Sequence, residues 1–219
     1  MIDIERHDDV RLLHWRDGEN RVNLASVARW HEVLDELDAV EGPLAVVAVG
    51  EGKFFSNGLD LDRFALAPDE LGPVIEGLQR LLGRLLVFPA YTVAALNGHA
   101  FAAGAMVSAV FDRRVMRADR GYWCLPEVDI GLALTEQMTA AVSARLPAPA
   151  VADAMCTGRR YDAGAALDAG LVDETADEGL VLDRAVELAA AMAGKDRGVL
   201  ATHKRLLFGA SARTCGWPT

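Results

Sequence analysis

Two short segments hold the residue types from which an oxygen-binding site of main-chain amides can be built. The first is Lys53-Phe54-Phe55-Ser56-Asn57-Gly58-Leu59-Asp60-Leu61. The second, about forty residues later, is Asn97-Gly98-His99-Ala100-Phe101-Ala102-Ala103-Gly104. Each puts small residues just past a strand-like apolar run, so that two lengths of backbone can approach a ligand and aim unpaired N–H groups at one oxygen. Such an oxyanion hole holds the negative charge that develops when a carbonyl is attacked or when a proton is removed beside it. A solitary glycine turn is usually no more than a turn. Two of them at this separation are informative together.

The elements that must position these turns follow from apolar spacing. Ile2 to Arg6 and Val10 to Trp15 alternate as a hairpin, with Asp17-Gly18 as turn punctuation. Leu24 to Val40 has Val27, Trp30, Val33, Leu34 and Leu37 at helical spacing, and Gly42-Pro43 stops that helix. Leu44 to Val49 reads as a strand buried on both faces, and it delivers the chain into the Gly58 turn. Tyr91 to Leu96 delivers it likewise into Asn97-Gly98 and a small-residue helix from about Ala102 to Val110. Arg113 to Met116 and Tyr122 to Leu125 read as short strands, and Glu136 to Arg145 as a helix. From Pro147 the chain is mostly helical, with Asp162 and Asp183 near helix starts and Gly170-Leu171-Val172 turning into a last strand. The tail, Gly209 to Thr219, has Gly, Ser and Pro and is expected to be loose.

The chain has 219 residues, 52% of them hydrophobic, which is enough to bury one sizeable core without disulfide or metal staples. No linker or repeat divides it, so a single domain over 1–219 is expected. A net charge of −10 argues against nucleic acid or an anionic membrane as partner, since both need clustered Lys and Arg. Cys124, Cys156 and Cys215 lack CxxC spacing, so neither a disulfide framework nor a metal site is expected. The start, Met1-Ile2-Asp3-Ile4-Glu5-Arg6-His7, lacks the basic and apolar regions of a secretion signal, and a reducing cytoplasm is the expected compartment. The apolar region around Leu85 to Phe111 is broken by Pro89, Asn97, Gly98 and His99, short of the roughly 20 residues a bilayer span requires.

The first segment resembles the FSxGxDL signature of the crotonase, or enoyl-CoA hydratase/isomerase, superfamily, and the second resembles its NGxAxGGG turn. Asn23 stands where the family has an Asn before its first helix, and Gly158 to Asp173 is similar to its "tGr…A…GLVd" segment. The resemblance covers nearly the whole chain. It implies an α/β fold, a spiral of ββα units over 1–146 with a helical C-terminal region over 147–219 that is short by family standards. It also implies homo-oligomers, trimers or pairs of trimers, and acyl-CoA substrates with no further cofactor. By position, the resemblance assigns the two oxyanion amides to Leu59 and Ala103. CoA contacts fall to the backbone around Phe54, Phe55, Ser56 and Gly58, and to Arg63, Lys204 and Arg21 for the phosphates.

The departure from the pattern lies at Met106. Hydratases of the family carry a glutamate there and a second one in a PE motif, together gripping the water that is added; here the second survives as Glu127 in Leu125-Pro126-Glu127-Val128-Asp129-Ile130-Gly131. One carboxylate can lift a proton from one carbon and return it to another, but is poorly equipped to orient and split water. The string is most like that of 3-enoyl-CoA to 2-enoyl-CoA isomerases, which makes Glu127 the expected catalytic acid/base. Met106 beside it would raise its pKa by excluding water. Glu136 reads as a first-turn helix acid, Asp60 and Asp129 as braces, and His99 as no part of the site. A hydratase of reduced efficiency and a non-catalytic acyl-CoA-binding protein stand as alternatives, the latter motivated by Ala102-Ala103 in place of two glycines.

Overall fold

A computed structural model of the chain describes residues 1–219. Strands β1 (Ile2–His7) and β2 (Val10–Trp15) form the antiparallel hairpin that their alternation requires. Helix α1 (Leu24–Asp38) starts at Asn23 through a reciprocal cap: Ser26 N donates to Asn23 Oδ1 at 3.0 Å and Asn23 N donates to Ser26 Oγ at 2.9 Å. Val27, Trp30, Val33, Leu34 and Leu37 are all buried by it.

The chain then repeats a strand, a short strand and a helix. One unit is β3 (Ala45–Gly50), β4 (Phe54–Ser56), α2 (Leu61–Leu66) and α3 (Leu71–Leu86). The next is β5 (Tyr91–Leu96), β6 (His99–Phe101) and α4 (Ala103–Ala109). A third is β7 (Arg113–Arg117), β8 (Trp123–Cys124), α5 (Glu127–Ile130) and α6 (Glu136–Ser143). Long strands join a six-stranded sheet in the order β1-β2-β3-β5-β7-β9, parallel beyond the first hairpin, where β9 is Glu174–Ala176. Short strands form a separate parallel sheet, β4-β6-β8. Each passage from the large sheet to the small one is therefore a glycine-bearing turn, and the ends of the short strands meet at one place.

The run Ala45 to Val49 is buried on both faces, which explains its unbroken apolar character. Ala45, Val47 and Val49 face α9 (Val181–Ala193) through Ala185 and Ala189, while Val46 and Ala48 face the main core with α1 and α3. Helices α7 (Ala148–Thr157), α8 (Ala163–Asp168) and α10 (Arg197–Thr214) complete the chain, and Asp162 caps α8 by accepting from Ala165 N at 2.9 Å. No helix is long and apolar enough to cross a membrane.

The tail is not loose. Helix α10 continues to Thr214, and Ala212 and Cys215 are buried. Trp217 stacks on His31 at 6.2 Å, with the Arg84 guanidinium 4.9 Å from its ring. These contacts outweigh the local preferences of Gly209, Ser211 and Pro218.

Candidate active site

The Gly58 turn is held from outside by the loop before α1. Asn57 N donates to Glu19 O at 2.9 Å, Gly58 N to Ser56 Oγ at 3.3 Å and Asp60 N to Val22 O at 3.0 Å. The amide between them, that of Leu59, donates to no group of the chain. Asp60 braces the turn, capping α2 through Arg63 N at 3.3 Å and accepting from Asn23 Nδ2 at 3.3 Å.

In the second turn Ala102 N donates to Cys124 O at 3.0 Å and Met106 N to Ala102 O at 3.0 Å. Ala103 opens α4, so its amide has no intrahelical acceptor, and no other group of the chain takes it. The two turns touch: a Cβ built on Gly58, whose φ is +82°, would lie 2.8 Å from the Ala102 Cβ and 3.4 Å from the Ala103 nitrogen. Gly104 is as tightly bound to its identity, since a Cβ there would lie 2.6 Å from Ser56 Cβ. Ala102 itself sits at φ +50°, ψ −122°, a conformation that costs a non-glycine residue about 1–3 kcal/mol. Alanine thus replaces glycine where the space allows it and not where α4 meets β4.

Leu59 and Ala103, the residues that carry these two free amides, both line a cavity of about 370 Å³. Of its 19 lining residues 15 are hydrophobic, and Glu127 is the one ionisable side chain among them. Glu127 is placed at the start of α5 by β8, whose Trp123 is fixed through Nε1–H donating to Ser108 Oγ at 3.1 Å. Met106, Pro126 and Ile130 share its wall. Its Oε2 is buried with no hydrogen-bond partner, and burial pushes its pKa up to about 7 against a slight pull from its own backbone amide. A carboxylate so placed is a base suited to neutral pH. Glu136 lies outside the cavity, in the first turn of α6, as expected. His99 is not among the cavity's lining residues and packs against the rings of Phe54, Phe101 and Tyr122.

Of the cations expected to meet the CoA phosphates, Lys204 is not available. Lys204 is 3% exposed; its Nζ donates to Ala90 O at 2.8 Å and to Asp112, which also binds Thr92 and Arg145. It anchors α10 to the main sheet instead of reaching a phosphate. Arg63 is held by both oxygens of Glu70, Nη2 to Oε1 at 2.7 Å, so its charge is already matched. Arg21 is likewise enclosed by Glu19, Asp60 and Asp62. The Phe55 and Ser56 side chains belong to the core, Phe55 edge-on to Trp15 at 6.3 Å and Ser56 Oγ donating to Asn20 O at 2.6 Å. The carbonyls of Phe54 and Phe55 accept from Asn20 Nδ2 at 3.4 and 3.1 Å. Gly58 and the outward-facing Phe54 are the expected contacts that keep a position at or beside the turn. Sequence reasoning missed the far wall, Phe64, Ile75, Leu78 and Met138; the spacing of Leu71, Ile75 and Leu78 on one helix face is the signal that carries it. No group of three or more His, Cys, Asp or Glu side chains is arranged to hold a metal ion.

A family model described as enoyl-CoA hydratase/isomerase matches residues 12–214. The chain is 32% identical over 195 residues to enoyl-CoA delta isomerase 2, peroxisomal, of Arabidopsis thaliana, covering 83% of this chain and 81% of that one. A Mycobacterium tuberculosis protein, named as an enoyl-CoA isomerase with one solved structure and as a probable enoyl-CoA hydratase with another, superposes with a TM-score of 0.89 at 27% identity in the first, covering 98% and 94% of the two chains. An enoyl-CoA hydratase from Mycobacterium marinum superposes with a TM-score of 0.89 at 26% identity and the same coverage. The spiral of ββα units is the crotonase fold, and the chain belongs to the enoyl-CoA hydratase/isomerase family.

Proposed function

We propose that the protein moves the double bond of a 3-enoyl-CoA to position 2, with Glu127 as its only acid/base. The Glu127 carboxylate removes a proton from C2, and the electron pair passes into a dienolate over C1 to C4. The Leu59 and Ala103 amides bind the thioester oxygen as its negative charge grows, each contributing about 2.7–4 kcal/mol in comparable sites. The carboxyl group then returns a proton to C4, leaving a 2-enoyl-CoA and the carboxylate restored. Atoms and charge balance without any further cofactor.

The observation that carries this reading is a lone half-buried carboxyl, with a pKa of about 7 and Oε2 unpartnered, in a wall shared with Leu59 and Ala103, whose amides are unpaired. Met106, buried in that wall, stands where a water-adding site needs a second acid. The relatives include proteins named isomerase and hydratase, so the assay offers both substrates. Conversion of a 3-enoyl-CoA that is lost in Glu127→Gln supports the proposal. Water addition to a 2-enoyl-CoA at a comparable rate, or an unimpaired variant, refutes it. The same proposal includes a trimer or pair of trimers, supported by the exposed Leu206 and Leu207 on α10; light scattering at the 23.5 kDa monomer mass refutes that part.

A further inference from the structure

The cavity also limits the chain it can take, an inference that rests on the acyl-CoA reading above. Its wall on α3 is Leu71, Ile75 and Leu78, one helical face. Leu71 is 38% exposed, Ile75 half-buried and Leu78 fully enclosed. The next residue of that face, Leu82, belongs to the core and not to the cavity. The same holds on the other two helices: Met138 of α6 and Met106 of α4 line the cavity, whereas Val142 and Val110, one turn further, are core. The cavity is thus open at Leu61, Leu71, Ile130 and Leu132, all exposed, and blind at Leu78 and Met138, both buried. Gln79 Nε2 donates to Thr135 Oγ1 at 3.0 Å and ties α3 to α6 beside the blind end.

The wall offers an acyl chain little polar contact beyond the reacting end. Thr135 Oγ1 accepts from Gln79 Nε2 and Met138 N and keeps only its O–H to donate, and Asn57 Nδ2 donates to Glu19 and leaves only Oδ1 to accept. A hydroxyl or carboxyl on the chain away from these two side chains would lose its water and find no partner.

The depth sets the capacity. From Leu71 to Leu78 the helix rises about 10 Å, and an extended chain of single bonds advances roughly 1.2 Å per bond, which is room for about nine carbons. We infer that the cavity is a ruler for unbranched acyl chains of about eight to ten carbons, with Leu78 and Met138 as its end stop.

The test is the affinity of saturated acyl-CoAs from butanoyl to hexadecanoyl, measured by titration calorimetry. Affinity rises roughly three- to fourfold per added carbon, until a break at about ten carbons. Met138→Ala removes three heavy atoms from the stop and moves the break longer by roughly two or three carbons; Leu78→Phe moves it shorter. Affinity that climbs without a break to hexadecanoyl-CoA, or a break that neither variant moves, overturns the ruler. Saturated chains have no double bond to shift, so a protein that measures length yet isomerises nothing sinks only the proposed chemistry. A protein that binds no acyl-CoA sinks both.

Discussion

Replacing Glu127 with glutamine keeps the shape of the side chain and removes its charge. In the folded protein, ionising this carboxyl leaves Oε2 buried without a partner, and burial lifts the pKa from 4.5 to about 7. The unfolded chain pays no such cost, so the folded-state pKa lies above the unfolded one. Stability is therefore full below about pH 4.5, where the group is protonated in both states, and it falls as pH rises towards 7. Above that the loss levels off at roughly 3 kcal/mol, an upper bound for a side chain that keeps some solvent contact. At about pH 5 it is still under about 1 kcal/mol. Glutamine escapes this loss, so the variant melts above the parent at about pH 8 by roughly 5–10 °C, and the gap shrinks to a few degrees or less at about pH 5. The same variant loses about 10²- to 10⁴-fold in isomerisation rate. Scanning calorimetry of both proteins at the two pH values reads the first effect and turnover of a 3-enoyl-CoA reads the second. A melting gap that does not change with pH would refute the burial argument, whatever happens to the rate.

Four further outcomes follow from the same geometry. The isomerisation rate of the parent climbs with pH to a midpoint near 7, set by the raised pKa of Glu127; a profile flat from pH 5 to pH 9 contradicts it. Met106→Glu puts a second carboxyl in the same wall and moves that midpoint up by about a unit or more through like-charge repulsion, measured by the same pH series. Ala102→Gly relieves the strain at φ +50° and raises stability by about 1 kcal/mol, whereas Gly104→Ala, facing Ser56, costs about 1–3 kcal/mol; urea unfolding distinguishes the two signs. Lys204→Met breaks a buried ion pair and costs about 3 kcal/mol, yet leaves acyl-CoA affinity where it was, because the ammonium is bound to Asp112 and Ala90.

Much of this arrangement is legible in the residues because burial imposes periodicity. The strands Tyr91–Leu96 and Val10–Trp15 are read at their observed bounds, since apolar runs and alternation follow directly from which faces are covered. The two turns are legible for a similar reason: only small residues permit contacts such as those of Gly58 and Gly104. What a cation does is less legible, because it depends on partners distant in the chain. Lys204 meets Asp112, 92 residues away, only once the chain is folded, and a lysine in the last helix looks the same in sequence whether it faces solvent or the core. The tail misleads in the opposite direction, since its Gly, Ser and Pro conceal the anchoring by Trp217. The depth of the cavity depends on how α3 lies across α4 and α6, which no local pattern states.

A crystal structure with a bound saturated acyl-CoA tests the central claim most directly. The account predicts the thioester oxygen about 2.7–3.1 Å from both the Leu59 and Ala103 nitrogens, with the Glu127 carboxyl against C2 and C4 and the tail directed at Met138. A thioester bound with its oxygen away from either amide, or with C2 out of reach of Glu127, contradicts it.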